Sequence, residues 1–105
     1  MGDTKILIID DQKLMRASLK RLLDKEGYDV ITAENAAQGI DTFKEEEPTL
    51  TLLDVHLPDA HGVEVLKEIK TLRNDTPVIM ITAFGDVQTA VSAIKQGAYD
   101  FIEKP

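Results

Sequence analysis

Short apolar runs with little polar alternation, separated by stretches of helical periodicity, constrain this chain more than any other feature. Ile6-Leu7-Ile8-Ile9, Val30-Ile31, Leu50-Thr51-Leu52-Leu53, Val78-Ile79-Met80-Ile81 and Tyr99-Asp100-Phe101-Ile102 read as strands. Between them Met15, Leu19 and Leu22 recur at i, i+4 and i+7 and stop at Gly27, a natural left-handed terminus. Ala36, Ile40 and Phe43 repeat the spacing and end before Pro48. Leu66, Ile69 and Leu72 or Arg73 follow Gly62, and Val87, Val91 and Ile94 form a last stripe that ends at Gly97. Strands apolar on both faces need cover on both faces, and parallel strands need crossover helices. The expectation is an α/β fold with a doubly wound parallel sheet.

A length of 105 residues is the size of one domain, and 43% hydrophobic content suffices for a core. The formal charge of -7 disfavours contact with a phosphate backbone, so no direct nucleic-acid binding is expected. Without cysteine there is no disulfide, thiolate metal site or thiol nucleophile. No apolar run is long enough to cross a bilayer and no signal peptide is evident, so a cytoplasmic location without membrane attachment is expected. Gly2 is not read as a myristoylation site, because Ile6 stands where that motif wants Ser or Thr. Glu45-Glu46-Glu47 reads as the solvated end of a helix.

Ligands of open parallel sheets gather outside the carboxyl ends of the strands. The first strand here ends in Asp10-Asp11, the third in Asp54, the fourth in Thr82-Ala83, and the fifth runs to Lys104-Pro105. Two carboxylates about 5 Å apart repel by roughly 3 kcal/mol at an effective dielectric near 20, so this rim asks for a cation. Oxygen donors without a His or Cys partner suit a hard ion, with Mg²⁺ the first choice. With the charge balanced, one carboxylate can attack phosphorus, and Asp54 is the best placed nucleophile.

These residues, as Ile8-Ile9-Asp10-Asp11, Leu52-Leu53-Asp54-Val55-His56-Leu57-Pro58, Ile81-Thr82-Ala83 and Lys104-Pro105, together with Gly62, Gly97-Ala98 and Phe101, resemble a response-regulator receiver domain of two-component systems along the whole chain. The stretch Ala90 to Phe101 further resembles receivers of nitrogen-regulator-type transcriptional activators. The resemblance implies a five-stranded sheet in the flavodoxin-like order 2-1-3-4-5, and phosphorylation of Asp54 by a sensor histidine kinase. It implies that Asp10, Asp11, Asp54 and the backbone carbonyl of His56 hold Mg²⁺. Thr82 and Lys104 would contact phosphoryl oxygens, and Ala83 would leave the phosphorus accessible. Phe101 would follow Thr82 as a switch, and Lys104-Pro105 would be cis. Such a domain catalyses its own phosphorylation and slow dephosphorylation and acts on an output domain or partner protein outside this sequence. Similar domains continue into a fifth helix, so residues 1–105 are expected to be a receiver truncated before it. One sheet face would then have only the first helix as cover unless an assembly, such as a homodimer, shields it.

Each residue also has an ordinary reading. Asp10 and Asp11 suit a helix N-cap, Asp54 a strand-end turn, Thr82 a strand interior, Lys104 a surface position and Phe101 the core. His56 and His61 read as exposed loop side chains, lacking a third nitrogen ligand. Gln12 replaces a common acid and Leu57 a common Met, and neither is expected to touch the phosphoryl chemistry. Phe84, two residues past Thr82, is expected to shield the phosphoryl from water. A dehalogenase-type phosphatase would need a second acid where His56 stands, a nucleotide-binding domain would need a Gly-rich loop after the first strand, and a receiver-like interaction module would not need the acceptor site intact.

Overall fold

The computed structural model describes residues 4–83 and 85–104. Nine elements alternate along it: β1 (Lys5–Ile9), α1 (Lys13–Lys25), β2 (Asp29–Ala33), α2 (Ala36–Glu46), β3 (Leu50–Asp54), α3 (Gly62–Leu72), β4 (Val78–Thr82), α4 (Val87–Lys95) and β5 (Asp100–Glu103). All strand pairs are parallel, and the sheet order is β2-β1-β3-β4-β5. This is the doubly wound α/β fold that the alternation implies, and the reversal of strand order between β1 and β3 opens a crevice at their carboxyl ends.

Each face of the sheet has its own core. Leu7, Ile9, Leu53, Val78 and Met80 pack with residues of α2 and α3 and with Ala93 of α4. On the opposite face Ile6, Ile8, Val30, Leu52 and Ile81 pack with Met15, Leu19 and Leu23 of α1. The alternation of side chains along a strand produces this division, since neighbours in β1 point to opposite faces.

Two helical stripes differ from the sequence reading. In α1 the packed row is Met15, Leu19, Leu23, the i±4 ridge, and Leu22 is 58% exposed. In α4 the stripe Val87, Val91, Ile94 faces outward, at 59%, 46% and 41% exposure, while Ala90 and Ala93 are fully buried. Small residues let α4 lie close to the sheet, and the larger β-branched residues fall on the other side of the helix. Of the two alternatives at the end of α3, Leu72 is exposed, and Arg73 places its guanidinium 5.8 Å from the Phe43 ring centroid. Tyr99 precedes β5 and is exposed.

The termini that matter to the site are fixed locally. Gly27 (φ 93°) and Gly97 (φ 111°) follow α1 and α4 in the left-handed region, as their positions in the sequence imply. Asn35 caps α2 by accepting from the Gln38 N–H at 2.8 Å, and His61 caps α3 by accepting at Nδ1 from the Val63 N–H at 3.2 Å. Gln12 occupies the cap position of α1 but makes no side-chain bond to that helix. The ordinary N-cap reading of Asp10 and Asp11 therefore fails: both lie before the cap.

Candidate functional site

Asp10 is the first residue beyond β1, and its N–H still donates to the Ala33 carbonyl at 3.0 Å. That bond extends the ladder, and the side chain is completely buried. Oδ1 accepts from the Gln12 N–H at 2.8 Å, and the Asp10 carbonyl accepts from Arg16 Nη1 at 2.7 Å. Asp54 closes β3 and is 2% exposed. Its Oδ1 accepts from the His56 N–H at 3.2 Å, leaving Oδ2 turned toward Lys104. Lys104 follows β5 and is aligned by its own N–H, which donates to the Thr82 carbonyl at 2.7 Å.

The Lys104 ammonium lies 3.1 Å from Asp54 Oδ2 and 3.5 Å from Asp10 Oδ2, and it donates to Gln12 Oε1 at 3.0 Å. One cation thus faces two buried carboxylates. Burial holds the Asp54 carboxyl above its usual pKa, and the Asp10 charge adds to the effect; the His56 N–H and Lys104 oppose it without cancelling it. Asp54 is a carboxylate whose charge the fold under-compensates.

Asp11, exposed on the rim, completes the acidic group: Asp10, Asp11 and Asp54 each offer a carboxylate oxygen within 4.8 Å of the others. Among the described residues no group donates a hydrogen bond to Asp10 Oδ2, although it is buried. A buried carboxylate oxygen without a donor, in a ring of oxygen ligands, fits a hard divalent cation. The histidine rings lie outside this group. His56 is an exposed side chain whose Nε2 is 3.4 Å from Asp86 Oδ2, and its ring meets that of His61 edge-on at 5.7 Å. Both residues are exposed, as expected, though His61 also has the capping task described above.

Thr82 ends β4, is buried, and donates its hydroxyl to the Ile102 carbonyl of β5 at 3.4 Å. Ala83 beside it is exposed. Phe101 pairs with Met80 in the β4–β5 ladder and packs half-buried against the α2/α3/α4 core. The expected site residues Asp10, Asp11, Asp54, Thr82, Ala83 and Lys104 therefore converge on one edge of the sheet, and Phe101 lies one residue before the carbonyl that Thr82 bonds. Phe84 and the Lys104–Pro105 bond lie outside the described residues.

Four residues enter the site region unannounced. Gln12, expected to be irrelevant, holds the lysine, and Arg16 holds the Asp10 carbonyl. Asp59 accepts from the Ala36 and Ala37 N–H groups at 2.7 and 3.0 Å, tying the loop after β3 to the start of α2. These bonds draw its carboxyl below its usual pKa. Asp86 is likewise lowered, first by the Thr89 hydroxyl and less by His56. Gln12 stands next to the acidic pair, so its position was a usable signal; the others carried none in sequence.

Residues 6–105 match the family model described as the response regulator receiver domain. The chain belongs to that family. It is 41% identical over 102 residues to the chemotaxis protein CheY of Bacillus subtilis, covering 96% of this chain and 85% of the relative. It is 41% identical over 105 residues to the C4-dicarboxylate transport transcriptional regulatory protein DctD of Pseudomonas aeruginosa, covering 99% of this chain but 22% of that longer protein. The crystal structure of the receiver domain of NtrX from Brucella abortus superposes with a TM-score of 0.92 at 40% identity, covering 95% of this chain and 85% of that one. The receiver is thus shared between a relative of similar length and a regulator several times longer. Among the described residues no helix is long and apolar enough to cross a membrane.

Proposed function

We propose that this receiver is a phosphoacceptor switch in which Asp54 takes a phosphoryl group from a sensor histidine kinase. The observation that carries the reading is the Lys104 ammonium 3.1 Å from Asp54 Oδ2, beside a group of three carboxylates. An Asp54 oxygen attacks phosphorus, the bond from phosphorus to the donor nitrogen breaks, and its electron pair stays with the departing imidazole. Asp10, Asp11, Asp54 and the His56 carbonyl would hold Mg²⁺. Its chemistry there is neutralisation of the carboxylates and of the equatorial phosphoryl oxygens. Lys104 pairs with a second phosphoryl oxygen as a point charge, and the exposed methyl of Ala83 leaves the approach open.

Thr82 then has two acceptors to choose between, the Ile102 carbonyl it now bonds and a phosphoryl oxygen on Asp54. Turning to the second releases β5, and Phe101 repacks in response; this is the bistable element that the added charge biases. An output domain or partner protein reads the change, as the length of DctD suggests, and pairing of two receivers is one form the readout can take.

Native mass spectrometry with Mg²⁺ and a small phosphodonor tests the proposal. A covalent phosphoryl adduct is expected on this chain and not on Asp54→Asn, and mass doubling on phosphorylation would mark a homodimer. A folded protein that forms no adduct, or one that Asp54→Asn still forms, would overturn it.

A further inference from the structure

We infer that Gln12 is a positioning residue for the phosphoryl chemistry, acting through Lys104; the inference rests on the function proposed above. A lysine ammonium has three donors and no acceptor. Here it faces Gln12 Oε1 at 3.0 Å, Asp54 Oδ2 at 3.1 Å and Asp10 Oδ2 at 3.5 Å. Two of these partners are carboxylates that the chemistry needs elsewhere: Asp54 must present an oxygen to phosphorus, and Asp10 belongs to the cation's donor set. As those oxygens are taken up, the lysine loses both anionic anchors. The amide of Gln12 is neutral, is not a metal donor in the proposed set, and is the one contact that need not break.

Three features of the fold make this a built arrangement. Gln12 occupies the N-cap position of α1, where Ser, Thr, Asp or Asn would bond the helix, yet its side chain makes no such bond and reaches instead across 92 residues of sequence to Lys104. Its backbone is fixed, since its N–H donates to Asp10 Oδ1 at 2.8 Å and its carbonyl accepts from the Arg16 N–H at 3.0 Å. The lysine side chain is only 16% exposed, so its ammonium is held among these three acceptors even though Gln12 itself reaches it from the exposed rim. Gln12 also differs from an acid at this place in adding no charge, so it orders the lysine without strengthening the lysine's retention against a phosphoryl oxygen.

The test measures the rate of adduct formation from a small phosphodonor, with Mg²⁺ and donor varied separately, for the unmodified chain, Gln12→Met, Lys104→Ala and the double variant. Gln12→Met keeps length and removes the acceptor. The maximal rate should fall by roughly tenfold, the effect of losing a charge-assisted hydrogen bond, with half-saturating Mg²⁺ changed less than twofold. In the Lys104→Ala background the same substitution should change the rate less than twofold. Gln12→Glu, which keeps an acceptor but adds a charge that holds the lysine against a phosphoryl oxygen, should restore only part of what Gln12→Met loses. Equal loss in both backgrounds, or no loss in either, would show that Gln12 does not act through Lys104, while adduct formation on the unmodified chain would leave the phosphoacceptor reading intact. Absence of any adduct on the unmodified chain would overturn that reading and this inference with it.

Discussion

Replacing Lys104 by Ala removes the one ammonium that faces both buried carboxylates among the described residues. At separations of 3.1 and 3.5 Å its gross attraction to Asp54 and Asp10 is about 10 kcal/mol at an effective dielectric of 20. Desolvation of the lysine, several kcal/mol, and its ordering offset much of that. Removing one partner of a buried ion pair costs about 3–5 kcal/mol, and the partial exposure of this lysine places the expected loss near the lower end, about 3 kcal/mol. Urea denaturation at neutral pH in the presence of a chelator measures it.

Two further signatures separate charge from packing. On the proposed function Mg²⁺ would supply the missing positive charge, so saturating it should recover more stability in Lys104→Ala than in the unmodified chain. Lowering the pH should also shrink the loss. Asp54 already binds its proton more tightly in the folded state than in the unfolded chain, and the substitution strengthens that tendency. A raised carboxyl favours folding below its unfolded value near 3.8 and loses that contribution as pH rises through the folded value. The cost of Lys104→Ala thus belongs to the pH range above the folded value. A loss under about 0.5 kcal/mol, or one of about 3 kcal/mol that neither Mg²⁺ nor acid reduces, would refute the charge-balance argument.

Gly62→Ala should destabilise the domain by about 2–3 kcal/mol and weaken Mg²⁺ binding, because a Cβ there meets the Asp54 carbonyl oxygen and lies 2.7 Å from Val55 Cα, backbone that cannot step aside; thermal melts with and without Mg²⁺ check both. Asp59→Ala should lower the denaturation midpoint at neutral pH by leaving the Ala36 and Ala37 N–H groups without that acceptor, and the gap to the unmodified chain should close as pH falls from about 3.8 through the depressed folded pKa. Ala93→Leu should cost about 1–3 kcal/mol, whereas Val91→Ser should stay within about 0.5 kcal/mol, since the first side chain is fully buried and the second faces outward; comparable losses in denaturant melts would return the buried face of α4 to the valine stripe.

The sequence alone determined the alternation of strands and helices, the all-parallel sheet and the placing of Asp10, Asp54, Thr82 and Lys104 at one edge. It did so because strand runs apolar on both faces admit few arrangements, and because the residue ending a strand is adjacent to it in the chain. Only the tertiary structure decided which stripe of α4 is buried, since periodicity identifies residues that share a face but not whether alanines or valines meet the sheet. It likewise decided the contacts of Gln12 with Lys104 and of Asp59 with the start of α2, spanning 92 and 23 or 22 residues. Such contacts depend on strand order and register, which bring together groups whose local sequence carries no mark of the other.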